Sequence, residues 1–277
     1  VTLPDLPLVS RFRDLLMRGG RAKRRKDGRP VPIERRIAST LSATAEPVFT
    51  VSASLRTAGM VARRVSAARA GGAMALLILS GGGLLRRLAG IVKLNWLLPQ
   101  NSFRILRVIS QKFPDQMLWA VENPVLPDPV ARARRMQRKV EAGARVILTQ
   151  PPFLWGRFER WLVEVRELGV TTPVICGVPI ITSSLSLRTW LFLVGLTGTH
   201  GETDSMLARL RQAEARGTGA EEGIRYTVEM LKRLRMTPGV SGVHMMPIFA
   251  WRRMGKVLEA AGLSPVDRLA ADDGGLR

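Results

Sequence analysis

What most constrains this chain is an alternation, running from Glu46 onward, of short apolar runs with segments of helical periodicity. PVFTVS (47–52), AMALLIL (73–79), QMLWAV (116–121), RVILTQ (145–150), PVICG (173–177) and SGVHMM (241–246) read as strands. They are short and rich in branched or aromatic residues. Helical patterns lie at 57–70, 101–112, 129–142, 158–168, 203–214 and 221–235, with a closing helix at 248–261. Strands that are apolar on both faces must be covered on both faces, which indicates a parallel sheet with helices outside it. The repeated strand–helix unit suits an α/β, (βα)8 TIM-type barrel better than an open two-sided sheet. Roughly six strands are countable, so such a barrel is about two short and incomplete at the N-terminus.

The N-terminal stretch differs from the rest. A short amphipathic helix over residues 8–17 precedes the basic run RAKRRKDGR (21–29), which has no apolar periodicity and reads as loop or disorder. The expected organisation is a basic, poorly ordered segment (1–42), a barrel (43–265) and a flexible tail (266–277). A net charge of +21 would by itself point to nucleic acid or an anionic membrane surface. Apart from that run, however, the basic residues are mostly arginines spread along the chain, and few aromatics interleave with them. This argues for solvated charge with some use in binding anionic cofactors, and against nucleic acid as the partner.

Other classes are excluded more simply. A single cysteine, Cys176, cannot form an internal disulfide, and with His200 and His244 as the only histidines no metal-site spacing exists. Cys176 sits in an apolar run and reads as packing. The apolar stretch 71–98 is broken by Arg86, Arg87 and Lys93, and 190–196 is far shorter than the ~20 residues a span needs. No basic-then-apolar leader opens the chain. The expectation is a cytoplasmic protein with no membrane span, compatible with a homo-oligomer. There is no P-loop and no nucleophilic triad.

Active sites of (βα)-barrels collect at the C-terminal ends of the strands. That rule selects Ser80 to Gly83, Glu122-Asn123-Pro124, Thr149-Gln150, Gly177 to Pro179 and His244. Ser80, Gly81 and Gly82 can bring backbone N–H groups against a phosphate or a flat ring, although a flexible turn fits the same residues. Gln150 offers a donor and an acceptor suited to the edge of a pterin, or to a neighbouring loop. His244 reads as a proton donor, a ring contact or a packed strand residue. Lys139 reads as an ammonium near a phosphate or as a solvated helix residue. No catalytic residue is assignable from the pattern.

The segment ENPVLPDPVARARRMQRKVEAGARVILTQPPF (122–153) resembles the middle of the methylenetetrahydrofolate reductase family. There an N-P strand end leads to a helix closing in K-V-(D/E)-A-G-A and then to a strand ending T-Q. PVICGVPII (173–181) is similar to a further family strand, and 223–247, with PGVSGVHMMP, follows the family's order. Residues 47–82 resemble its strand–helix–strand leading to a Gly-Asp pair, and SRFRDLLMRGG (10–20) resembles the opening helix of some bacterial members. The resemblance implies a flavoprotein in one-carbon and methionine metabolism that reduces 5,10-methylenetetrahydrofolate to 5-methyltetrahydrofolate. NADH or NADPH would be the reductant and FAD the cofactor. Gln150 would then bind the pterin, with His244 also on the substrate. Lys139 would lie near the FAD phosphates, and Ser80, Gly81, Gly82 and Asn123 would border the flavin.

Three departures stand against this. The family's first-strand glutamate has no counterpart in RAKRRKDGRPVPIERR (21–36), the Gly-Asp pair reads Gly81-Gly82, and a helix acid is replaced near Arg132. Loss of a proton donor removes roughly 10²–10⁴-fold in rate. The readings, in order, are a reductase, a catalytically impaired paralogue binding folate or flavin as a regulatory subunit, and a nucleic-acid-associated protein on the same scaffold.

Overall fold

The structure, a computed structural model, describes residues 2–3, 48–52, 58–79, 102–247 and 250–263. Its architecture is an incomplete (βα) TIM-type barrel, built as strands alternating with helices in two compact units. The first unit comprises residues 1–121 and 135–147, and the second comprises 122–134 and 148–277.

In the first unit, strands β1 (Thr2–Leu3), β2 (Val48–Ser52), β3 (Ala75–Leu79) and β4 (Met117–Glu122, whose last residue opens the second unit) pair in parallel and in chain order. Register runs from Val48 opposite Ala75 to Ser52 opposite Leu79, and Ala75 lies opposite Met117. Helix α1 (Ala58–Ala70) buries Val61, Ala62, Val65 and Ala68, one face at helical spacing, and ends at Gly71-Gly72. Helix α2 (Ser102–Lys112) buries Ile105, Leu106 and Ile109. With Phe49, Val51, Leu76, Ile78 and Leu118 these form an apolar core. The β1 pairing falls where the sequence shows no strand pattern, since two residues are too few to carry a period. The helix expected over 8–17 and the tail 266–277 lie outside the described residues.

Helix α3 (Pro129–Glu141) and strand β5 (Val146–Thr149) each contain a unit boundary. In the second unit, helix α4 (Trp155–Glu167) buries Trp155, Phe158, Trp161, Leu162 and Val165. Trp155 meets Phe158 edge-on at 5.8 Å, and Phe158 stacks on Trp161 at 6.0 Å. Strand β6 (Val174–Pro179) pairs in parallel with β7 (Gly242–Met246). Between them come helices α5 (Ser184–Val194), α6 (Gly201–Ala215) and α7 (Gly219–Met236).

Helix α5 has no counterpart among the helices read from the sequence. Its start is fixed by a capping box in which the Ser183 hydroxyl accepts from the Ser186 N–H and Ser186 reciprocates. Its stop is Gly195, at φ 84°. The apolar residues 190–194 are therefore the last turns of this helix. Among the described residues no helix is long and apolar enough to cross a membrane. The closing helix expected over 248–261 is instead a 3₁₀ turn (Trp251–Arg253) followed by α8 (Met254–Ala260). The 3₁₀ residues bury nothing, and the stretch is anchored instead by Ala250 before them and by Val257 and Ala261 after them.

Candidate functional site

The sequence places chemistry at strand ends, and in the second unit those ends are joined by specific bonds. The Glu122 carbonyl, closing β4, accepts the Gln150 N–H at 2.9 Å. Gln150 and Asn123 therefore sit on adjacent strand ends, tied through one residue. The Glu122 carboxylate is buried and its Oε1 accepts the Asn123 N–H at 3.0 Å. The Asn123 amide Nδ2 donates to the Val194 carbonyl at 2.6 Å, which fixes the side chain. Its Oδ1 is buried and has no hydrogen-bond partner. A buried acceptor without a donor costs ~1–3 kcal/mol, so this atom is chemically suited to a donor from a ligand.

On β6 and β7, His244 lies directly opposite Gly177. Gly177 is where three strands crowd together. A Cβ there would lie 2.5 Å from Met246 Cε and 2.7 Å from the Thr149 carbonyl oxygen, so only glycine fits. Burial lowers the pKa of His244 below its ordinary value, and the imidazole is neutral at neutral pH. Burial likewise pushes the Cys176 thiol up to about 12. A thiol in that state is a packing group, not a nucleophile.

Lys139 belongs to the first unit and is buried, 2 % exposed, so it is not the solvated helix residue that its sequence position equally allowed. Its Nζ donates to the Val121 carbonyl. The K-V-E-A-G-A motif around it is a helix stop. The Gly143 N–H bonds the Val140 carbonyl at 2.9 Å and the Ala144 N–H bonds the Lys139 carbonyl at 3.0 Å, the paired bonds of a Schellman turn. Gly143 takes φ 106° there, and a Cβ on it would lie 2.5 Å from Ser110 Cβ.

The structure thus ties Asn123 to Gln150 and pairs His244 with Gly177. Ser80, Gly81 and Gly82 lie outside the described residues, as does the region of the missing first-strand glutamate. Among the described residues no group of three or more His, Cys, Asp or Glu side chains is placed to hold a metal ion.

A protein-family model described as methylenetetrahydrofolate reductase matches residues 104–262, more than half of the chain. No curated protein matches it. Among solved structures, QR15, an aldolase, is similar over 66% of this chain and 80% of that one, at 14% identity and a TM-score of 0.37.

Proposed function

The chain belongs to the methylenetetrahydrofolate reductase family, and on that premise we propose that it reduces 5,10-methylenetetrahydrofolate to 5-methyltetrahydrofolate with NADH or NADPH. The reaction takes up one hydride and one proton, and FAD, when bound, relays the hydride. This reading takes residues 43–265 as the barrel, and places the protein in the cytoplasm in one-carbon and methionine metabolism.

The observation that carries the proposal is the Asn123–Glu122–Gln150 arrangement. The orphaned Asn123 Oδ1 fits the imide or amide N–H of a flat heterocycle, and Val194 holds the side chain so that this acceptor is preset. Gln150, half-buried at the next strand end, presents the donor–acceptor pair that a pterin edge requires. Gly177 lets the Met246 side chain and the Thr149 carbonyl close in beside His244. Neutral His244 is a hydrogen-bond partner for substrate, since an imidazole with a lowered pKa gives up no second proton at neutral pH. Lys139, Ser80, Gly81 and Gly82 are assigned to the phosphate and ring borders of FAD.

A second reading, the catalytically impaired paralogue, rests on the acid inventory. Among the described residues at strand ends of the second unit, Glu122 is the only carboxylate, and it is committed to the Asn123 N–H. One experiment separates the two. The purified chain is loaded with FAD and passed through gel filtration, and its visible spectrum is followed on adding NADH or NADPH and then methylenetetrahydrofolate. Bleaching followed by re-oxidation is the expected result. Retained flavin without turnover selects the impaired paralogue, and a folded protein that retains no flavin overturns the cofactor assignment.

A further inference from the structure

Helices α6 and α7 enclose a concavity of about 560 Å³ whose lining includes Arg209, Gln212 and Arg216 from one helix and its cap, and Glu222 and Arg225 from the other. Arg209, Gln212 and Arg216 recur at i, i+3 and i+7 and so line one helical face. Glu222 is nine-tenths buried and organises two of the cations: its carboxylate meets Arg209 Nη2 at 2.8 Å and also pairs with Arg225. Arg209 is further drawn to Glu229 at 3.9 Å. Glu221 also lines the cavity and is exposed.

That pairing leaves Arg216 over. Its backbone N–H bonds the Ala213 carbonyl at 3.0 Å, while its guanidinium has no carboxylate partner among the described residues. A self-contained ion-pair network would need neither Arg216 nor the Gln212 amide facing the same space. Three guanidiniums converging on one cavity, two of them held by a buried carboxylate, are a preorganised set of fork-shaped donors. They match the oxygens of phosphates and carboxylates, and a ligand with several such oxygens would engage more than one fork.

We propose that the α6–α7 cavity binds a multiply charged oxyanion, with Arg216 as the principal ligand-binding residue and Arg209, Arg225 and Gln212 as its supports. This site does not depend on the reductase reading, and no residue of the strand-end site takes part in it.

The test is isothermal titration of the intact protein with pyrophosphate and, separately, with citrate, at constant ionic strength. At least one is expected to saturate, and the stronger of the two identifies phosphate or carboxylate as the natural source of charge. Arg216→Gln is expected to weaken binding about five- to tenfold, as the loss of one charge-assisted contact implies. Arg216→Glu is expected to abolish it. Arg188→Gln, which removes one exposed positive charge on α5, is expected to change nothing. Arg216 is exposed and contributes only its backbone to the helix end, so its variants keep the fold, which a melting curve checks. Failure of both anions to saturate, or superimposable titrations for wild type and Arg216→Gln, overturns the proposal. Flavin retention measured on the same variants reports separately on the reductase reading and is expected to be unchanged.

Discussion

At Gly177 the side chain that is absent does as much as those present. The Met246 thioether can swing away from an added methyl, but the Thr149 carbonyl belongs to a strand and cannot. Gly177→Ala is therefore expected to destabilise the protein by about 1–3 kcal/mol, within the range for forced overpacking. Adding Met246→Ala should recover only part of that loss, because the backbone collision remains. Full recovery in denaturant titrations would show that the methionine alone made the site tight. Next to it, Cys176 gives the protein an alkaline limit. Its thiol is raised from 9.0 to about 12 in the fold, so the folded state holds its proton while the unfolded chain loses one. The stability this confers is complete below about pH 9 and is lost as pH rises toward 12. Tyr226, also raised by burial, adds a limb of the same sign at higher pH. Melting temperatures of wild type and Cys176→Ala between pH 8 and pH 10.5 should converge as pH rises, and parallel curves would contradict the assignment. His244 acts at the other end. Its lowered pKa gives stability that is present above the ordinary histidine value and lost as pH falls through the folded one.

Single elements show why parts of this fold were legible and others were not. The K-V-E-A-G-A motif is readable because Gly143 satisfies two demands at once, a left-handed backbone and the close approach of Ser110. Gly169 satisfies only the first, at φ 72° with open space around it. Gly143→Ala and Gly169→Ala therefore form a controlled pair. Gly169→Ala should cost about 1 kcal/mol for the positive φ alone, roughly 2–4 °C in Tm for a domain of this size. Gly143→Ala should cost clearly more, and equal shifts would mean that Ser110 moves aside freely. Strands β2 to β7 were legible for the same kind of reason, since each is an apolar run short enough to read as a strand without tertiary information. Helix α5 was not, because its boundaries are set by serines 183 and 186 and by Gly195, which resemble loop residues when read singly. The site divides along the same line. Asn123, Gln150 and His244 follow from the rule that barrels work at strand ends. The orphaned Asn123 Oδ1, the clamp from Val194 and the burial of Lys139 depend on residues distant in sequence, and no local pattern encodes them.

For the molecule as a whole the net charge of +21 must be reconciled with a packed fold. Many arginines here are paired with something other than carboxylates. Arg157 donates to the Val125 carbonyl at 3.1 Å, and Arg166 bonds the carbonyls of Val170, Thr172 and Gly239. Arg138 lies 4.6 Å over the Phe103 ring, and Arg233 lies 4.1 Å over Trp155 while pairing with Glu159 at 2.7 Å. These cations cap carbonyls and cover aromatic faces, so they are retained for structure, and their mutual repulsion is left uncompensated. Salt then has two opposing effects. It weakens exposed pairs such as Arg69–Asp115, each worth about 0–1 kcal/mol. It also screens the long-range repulsion, whose reach falls from about 30 Å at 0.01 M to about 10 Å at 0.1 M. The excess of 43 basic over 22 acidic side chains makes the second effect the larger. Tm should therefore rise by several degrees as sodium chloride increases from about 0.01 M to 0.15 M and then level off, because little repulsion remains beyond the Debye length. The same rise should appear with chloride or acetate as the anion, since screening is indifferent to identity. A rise seen only with phosphate or citrate would instead trace to specific occupancy of the Arg216 cavity, and Arg216→Gln would remove it.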